Sequence, residues 1–244
     1  MPDSCFAERL GDLIDLTVNE RAALAHLESR PRDLRRGAIL LRENDPLSEL
    51  FVLKHGMAMS YVLLDDGSRQ ILRFFFPGDM LAVSALVYRE SPETIVAVTD
   101  ATVCPFDRSA MAELVTDHPR LSAVIMVLNQ MEKVALTDRL AALGRTSAKA
   151  RIAALLLEIR NRMRRTDKRV TDSFALNLTQ EEIGDATGLT AVHVNRMLRQ
   201  LDDDGLIARE AGRVRLLNDA ALARAANYVD RFAGLDLRWL PPAR

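Results

Sequence analysis

The sequence predicts an α+β fold in which an antiparallel β-roll of jelly-roll type fills the N-terminal half and helices follow it. Three observations predict this. Between residues 38 and 106, short runs of Val, Ile, Leu, Phe and Tyr alternate with turn signals at intervals of about ten residues, a pattern of many short antiparallel strands. From Arg120 to about Leu143, apolar residues recur at three- and four-residue spacing, which predicts one long helix. Beyond Ala148 the helical pattern returns and is broken by a single basic hairpin. A chain of 244 residues, 48 % hydrophobic, has room for two modest domains with separate cores.

Residues 1–36 carry short amphipathic segments around Leu10, Leu13, Ile14 and Leu24 and end in the basic stretch Arg30, Arg32, Arg35, Arg36. Strands are expected over 38–42, 50–54, 57–64, 70–75, 94–98 and 101–106. The turns between them are Glu43-Asn44-Asp45-Pro46, His55-Gly56, Asp65-Asp66-Gly67 and Pro77-Gly78-Asp79. Asp66-Gly67 is the clearest hairpin signal. From Ser109 the period is helical; His118-Pro119 breaks a short helix and the long one follows. Gly144 to Ser147 reads as a hinge. Ala148 to about Arg165 is a further amphipathic helix, with Ile152, Leu155, Leu156, Ile159 and Met163 on its inner face. Phe174, Leu176 and Leu178 alternate as a strand. Asn218 is placed to cap a last helix through about Phe232, and Leu235 to Arg244 form a tail.

The stretch from Thr179 to Leu201 is the most specific. Thr179 followed by Glu182 is a capping box, and Ile183 and Ala186 share one face. Gly188 allows a tight turn, and Thr190 can cap a second helix whose inner residues are Val194, Met197, Leu198 and Leu201. Ala191, His193, Asn195, Arg196 and Arg199 are then left outside, with polar groups suited to the edges of DNA bases. Two amphipathic helices joined at a glycine are also an ordinary packing motif, so the flanks decide. After the acidic run Asp202 to Asp204, residues 206–209 and 214–217 flank Ala211-Gly212 as a hairpin carrying Arg209, Arg213 and Arg215, which is a wing.

Charge agrees with this division. From Arg145 to Leu217 there are 14 Lys plus Arg against 10 Asp plus Glu, leaving 19 against 24 elsewhere. His193, Asn195 and Arg196 are the expected base contacts, and Thr179, Thr190, Arg199 and Arg213 the expected phosphate contacts. The cluster Arg160, Arg162, Arg164, Arg165, Lys168, Arg169 is either a capped helix end or a further phosphate surface. A reader using one helix gains specificity from two half-sites, so the seam Leu121, Val124, Leu128, Met131, Ala135 on the long helix is assigned to a homodimer interface rather than to packing on its own β-domain. Asp138, beyond the seam, either faces its symmetry mate or lies in solvent.

The two cysteines, Cys5 and Cys104, form no metal-binding spacing, and no metal site is expected. No apolar run is long enough to cross a bilayer, so no membrane association and a cytoplasmic location are expected. No catalytic residues are assigned, because the chain has no nucleophile elbow, P-loop, HExxH or paired catalytic carboxylates.

The order of parts resembles the Crp/Fnr family of bacterial transcription regulators. The resemblance rests on Gly37, Gly56, Gly67 and Pro77-Gly78-Asp79, on Arg151-Ile152-Ala153, on residues 178–198 and on the LDDDGLI that follows. It implies a cyclic-nucleotide-binding-type β-roll with N-terminal helices as a sensor domain over 1–117, a dimerisation helix over 118–144, and a winged helix-turn-helix domain with C-terminal helix and tail over 145–244. Double-stranded DNA, a second copy and RNA polymerase are the implied partners. Members that bind cyclic AMP carry Gly-Glu for the ribose and Arg-Ser for the phosphate, whereas this chain has Ala82-Val83 and then Pro92-Glu93-Thr94. The effector pocket is accordingly placed at Met80, Ala82, Val83, Glu93 and Thr94, and cyclic AMP held in the usual way is not expected. The cysteine cluster of iron-sulfur members is absent. Haem stays open, with His55 or Cys104 as axial ligand. In the reading helix, Val192 stands where members reading the common half-site have Glu, while Arg196 matches their Arg. The resemblance thus implies a sequence-specific regulator acting as a homodimer on a palindromic operator that differs from the common site, with an effector not identified from sequence. The competing reading is a small-molecule-binding module that acts through protein partners and keeps a vestigial DNA-binding domain.

Overall fold

The computed structural model describes residues 4–243 and divides into two compact units. One unit takes the chain up to Val62, Arg73–Lys133 and the segment from Gly234; the other takes Leu63–Leu72 and Val134–Ala233.

The first unit opens with α1 (Cys5–Gly11) and α2 (Val18–Leu27). Ser4 caps α1 by accepting the Ala7 N–H at 3.0 Å, and its hydroxyl donates to buried Glu28 at 2.6 Å. Thr17 and Glu20 form a capping box on α2, and Arg120 donates to Glu20 at 2.9 Å. The strands follow in order: β1 (Arg32–Leu34), β2 (Ile39–Leu41), β3 (Glu49–His55), β4 (Ala58–Leu63), β5 (Arg69–Phe75), β6 (Met80–Leu81), β7 (Thr94–Ala97) and β8 (Ala101–Asp107). They form two four-stranded sheets, ordered β1-β8-β3-β6 and β2-β7-β4-β5, in which β8 pairs antiparallel with β1 and β3, β3 with β6, and β7 with β2 and β4. This is the β-roll. Its core joins Phe6, Leu10 and Leu24 from the helices with Leu50, Leu53, Leu81, Ile95, Val103 and Phe106 from the sheets.

Next come α3 (Arg108–Asp117) and the 27-residue α4 (Pro119–Arg145), which contributes residues to both units. Leu121 and Val124 are 0 % exposed within the single chain, in the β-roll core. This corrects their assignment to a seam facing a second copy: three-and-four spacing identifies an apolar stripe, not the surface that covers it. Leu128 and Met131 are half-buried, with Leu128 packed against the same core, and Ala135 is exposed. Leu240 of the tail also packs on this core, which is why the segment from Gly234 groups with the first unit.

The second unit contains α5 (Ala148–Thr166), β9 (Ser173–Ala175), α6 (Gln180–Thr187), α7 (Ala191–Asp203), β10 (Ile207–Glu210), β11 (Arg213–Leu216) and α8 (Asp219–Ala226). Ser147 caps α5 by accepting the Ala150 N–H at 3.2 Å. The wing is a three-stranded sheet ordered β10-β11-β9. α8 ends earlier than its sequence suggests, because Asn227 turns left-handed at φ +50° and closes it. Asp138 accepts two hydrogen bonds from Arg231, at 2.9 and 3.0 Å. From the 63–72 hairpin, Arg69 donates to the Asp185 carboxylate and Gln70 to the Asp185 carbonyl, both at 2.7 Å. Among the described residues no helix is long and apolar enough to cross a membrane.

Candidate nucleic-acid interface

The reading unit is fixed by backbone chemistry at its two helix starts and the turn between them. Thr179 accepts the Glu182 N–H at 3.1 Å while Glu182 accepts the Thr179 N–H at 2.7 Å, so two orphan donors of α6 are satisfied. α6 ends at Gly188, whose φ of +65° suits glycine and whose N–H returns to the Gly184 carbonyl. The Leu189 N–H reaches the same carbonyl at 3.0 Å. The turn therefore folds down onto α6 so closely that a Cβ on Gly184 would lie 2.3 Å from the Leu189 oxygen. Gly188 has no comparable obstruction, its nearest neighbour being Leu143 at 3.7 Å. Sequence reading picked out Gly188, a plain turn signal, and missed Gly184, which sits inside a helical pattern. Thr190 then caps α7 by accepting the His193 N–H at 3.3 Å. Val194, Leu198 and Leu201 are buried beneath.

Opposite that buried side runs a solvent-facing stripe of Val192, Arg196, Arg199, Gln200 and Asp203. At about 100° per residue these five lie within a narrow arc, whereas His193 and Asn195 fall on its two edges and are half-buried. Neither Arg196 nor Arg199 has a hydrogen-bond or ion-pair partner among the described residues. The wing arginines differ. Arg209 pairs with Asp202 at 2.6 Å, Arg215 with Asp172 at 3.7 Å, and Arg213 donates to the Ser173 hydroxyl and carbonyl at 3.2 and 3.1 Å. The basic cluster at the end of α5 is also largely engaged. Arg160 is buried and pairs with Asp219 at 2.7 Å, Arg165 meets Asp230 at 3.4 Å, and Arg169 meets Asp167 at 2.9 Å. The Arg169 guanidinium holds the Asp167 carboxyl below its usual range. Arg162 is buried and Arg164 exposed. The Thr179 and Thr190 oxygens accept backbone N–H groups, which leaves each hydroxyl hydrogen available to a phosphate.

In the first unit, Met80 and Val83 line a small cavity with Phe6, Arg9, Arg73, Phe75, Gly78, Leu128 and Glu132 among its other walls. Ala82 is buried in a left-handed conformation, and the Thr94 hydroxyl accepts the Glu43 N–H at 3.0 Å, so neither forms its wall. Glu93 is engaged by Arg73 at 3.1 Å, and that guanidinium also stacks 4.6 Å above the Phe75 ring. α1 presses on the loop below: a Cβ on Gly78 would sit 2.6 Å from the Cys5 carbonyl oxygen. The cavity encloses about 40 Å³, room for a water molecule or so, against the roughly 300 Å³ or more that holds a small-molecule ligand. His55 is exposed at the end of β3, while Cys104 is sealed in the core. Burial pushes the Cys104 thiol up, and burial together with Glu28 takes Cys5 to about 11. No group of three His, Cys, Asp or Glu among the described residues is placed to hold a metal ion.

Comparison with known proteins matches residues 31–118 to the cyclic nucleotide-binding domain and residues 150–225 to the Crp-like helix-turn-helix domain. The chain belongs to the Crp/Fnr family. Among relatives, the transcriptional activator protein anr of Pseudomonas aeruginosa is 28 % identical over 215 residues, covering 87 % of each chain. The fumarate and nitrate reduction regulatory protein of Escherichia coli is 25 % identical over 222 residues, covering 90 % of this chain and 88 % of that one. Among solved structures, FixK2 from Bradyrhizobium japonicum superposes with a TM-score of 0.72 at 27 % identity, covering 82 % of this chain and 98 % of that one. As a Crp/Fnr protein the chain is a DNA-binding transcription regulator and not an enzyme.

The two turn glycines separate two costs. Gly184→Ala gains helix propensity but must push the Leu189 carbonyl away, and is expected to lower stability by about 2–3 kcal/mol; Gly188→Ala carries only left-handed strain, about 1 kcal/mol. Urea denaturation of both variants measures the difference, and an equal or reversed order would remove the close approach as the controlling constraint. Saturating cyclic AMP is expected to leave the thermal midpoint unchanged, since binding to the folded state alone raises it. A rise would show that the cavity opens.

Proposed function

We propose that this Crp/Fnr protein acts as a homodimer on a palindromic operator, with α7 of each copy in the major groove. The observation that carries this reading is the pair of unpartnered guanidiniums, Arg196 and Arg199, on the exposed stripe of α7, while the arginines around them are engaged internally. Arg196 reads a guanine through O6 and N7, and His193 and Asn195 read flanking positions from the edges of the stripe. Thr179, Thr190, Arg199 and Arg213 hold phosphates and set the register. RNA polymerase is the further protein partner. The β-roll responds to a signal other than cyclic AMP held in the family's usual way, because Glu93 and Arg73 neutralise each other beside a cavity too small for a nucleotide.

The dimer surface lies on α4, on side chains that its own chain leaves uncovered. Met126, Leu136 and Leu140 are exposed and fall on a and d positions of one heptad register, with Leu140 72 % exposed. Leu128 and Met131 fall at the c and f positions of that register, away from this surface, and Leu121 and Val124 are buried in the core of their own β-roll.

Two measurements test the reading. Arg196→Ala should weaken binding to a selected operator by about 1–3 kcal/mol and relax the choice at one base position; uniform weakening on every sequence would make it a phosphate contact. Leu140→Asp should yield a monomer with an unaltered thermal transition and poor operator binding, read by sedimentation and gel shift. A stable dimer of this variant would place the interface elsewhere.

A further inference from the structure

Val192 is 81 % exposed, the highest value among the exposed large apolar side chains of the described residues. It stands in the first turn of α7, on the same stripe as Arg196 and Arg199. The other β-branched and leucine side chains of this helix, Val194, Leu198 and Leu201, are all buried. Solvent exposure of an isolated valine is tolerable and common, but its place at the N-terminal end of a stripe otherwise made of Arg, Gln and Asp is informative.

We infer that Val192 is a specificity-determining residue that reads the C5-methyl group of a thymine. This inference rests on the reading of α7 as the base-reading helix and assigns a chemistry to its leading position. Val192 and Arg196 are one turn apart, about 6 Å along the helix axis and about 40° around it, so they face base pairs one or two steps of about 3.4 Å apart. Arginine is long, charged and rich in donors, and selects guanine. Valine is short and has neither donor nor acceptor. Of the groups displayed in the major groove, only the thymine methyl is complementary to it. An adenine or cytosine amino group, or a guanine oxygen, would be desolvated against the valine without a partner, so the side chain selects by penalty as well as by attraction. The expected half-site therefore holds a thymine and a guanine next to each other or one pair apart, the first set by Val192 and the second by Arg196.

The experiment begins with selection of operators from a random DNA pool by the full-length protein. Each thymine of the selected half-site is then replaced in turn by deoxyuridine, which deletes the methyl group and nothing else. One position should lose about three- to five-fold in affinity, the worth of roughly one buried methyl. The loss should vanish in Val192→Ser, for which thymine and deoxyuridine become equivalent. Val192→Glu supplies an acceptor and should move the preference at that position to cytosine, whose N4 amino group donates to a carboxylate. Recovery of no sequence from the pool would defeat the reading of this chain as an operator-binding regulator. A recovered operator with a flat deoxyuridine scan, or a methyl effect that survives Val192→Ser, would defeat the assignment of Val192 alone.

Discussion

The reading head depends on the contact between the Leu189 carbonyl and the backbone of Gly184. Helix capping at Thr179 and Thr190 fixes where α6 and α7 begin, but the angle between them is set by how far the turn sinks onto α6. With no side chain at Gly184, two N–H groups, from Gly188 and Leu189, converge on its carbonyl. That arrangement turns the buried face of α7, with Val194, Leu198 and Leu201, onto the unit's core and leaves the opposite stripe in water. The position of every proposed base contact follows from it.

Around that stripe, charge is sorted by pairing more than by count. The segment carrying the reading helices has a modest basic excess, yet several of its guanidiniums are neutralised inside the unit, Arg160 on Asp219 and Arg209 on Asp202, whereas Arg213, bonded only to the neutral Ser173, keeps its charge. Arg196 and Arg199 are left facing solvent. A formal tally of basic residues treats all of these alike, although only an unengaged guanidinium can neutralise a phosphate or grip a base without first breaking an internal contact.

Much of the architecture was legible in the sequence, for definite reasons. Turn glycines and Asp-Gly steps marked the strand ends of the roll, and the Thr179–Glu182 box announced α6, because these signals act over a few residues. The short strands β1 and β6 left no such trace. Arg32–Leu34 reads as a basic stretch, and its strand character comes from pairing with β8 some 70 residues later, for example Arg32 opposite Val103. Two residues of the α4 seam were misassigned for a related reason: Leu121 and Val124 have the right spacing, but spacing does not say whether the β-roll or a second copy covers them. Of the reading face, Arg196 was recognisable by its neighbours. The paired state of Arg213, and the half-burial of His193 and Asn195, depend on packing that no local pattern encodes.

The Arg73–Glu93 pair also restricts how this roll can change over evolutionary time. Both side chains are mostly withdrawn from water, and each is the other's counter-charge. Replacing Glu93 alone strands a guanidinium beside Phe75; replacing Arg73 alone strands a carboxylate, and losing one member of such a pair costs more than losing both. The two positions are therefore coupled: a change at either one destabilises the roll more than the joint replacement of both by packed apolar residues.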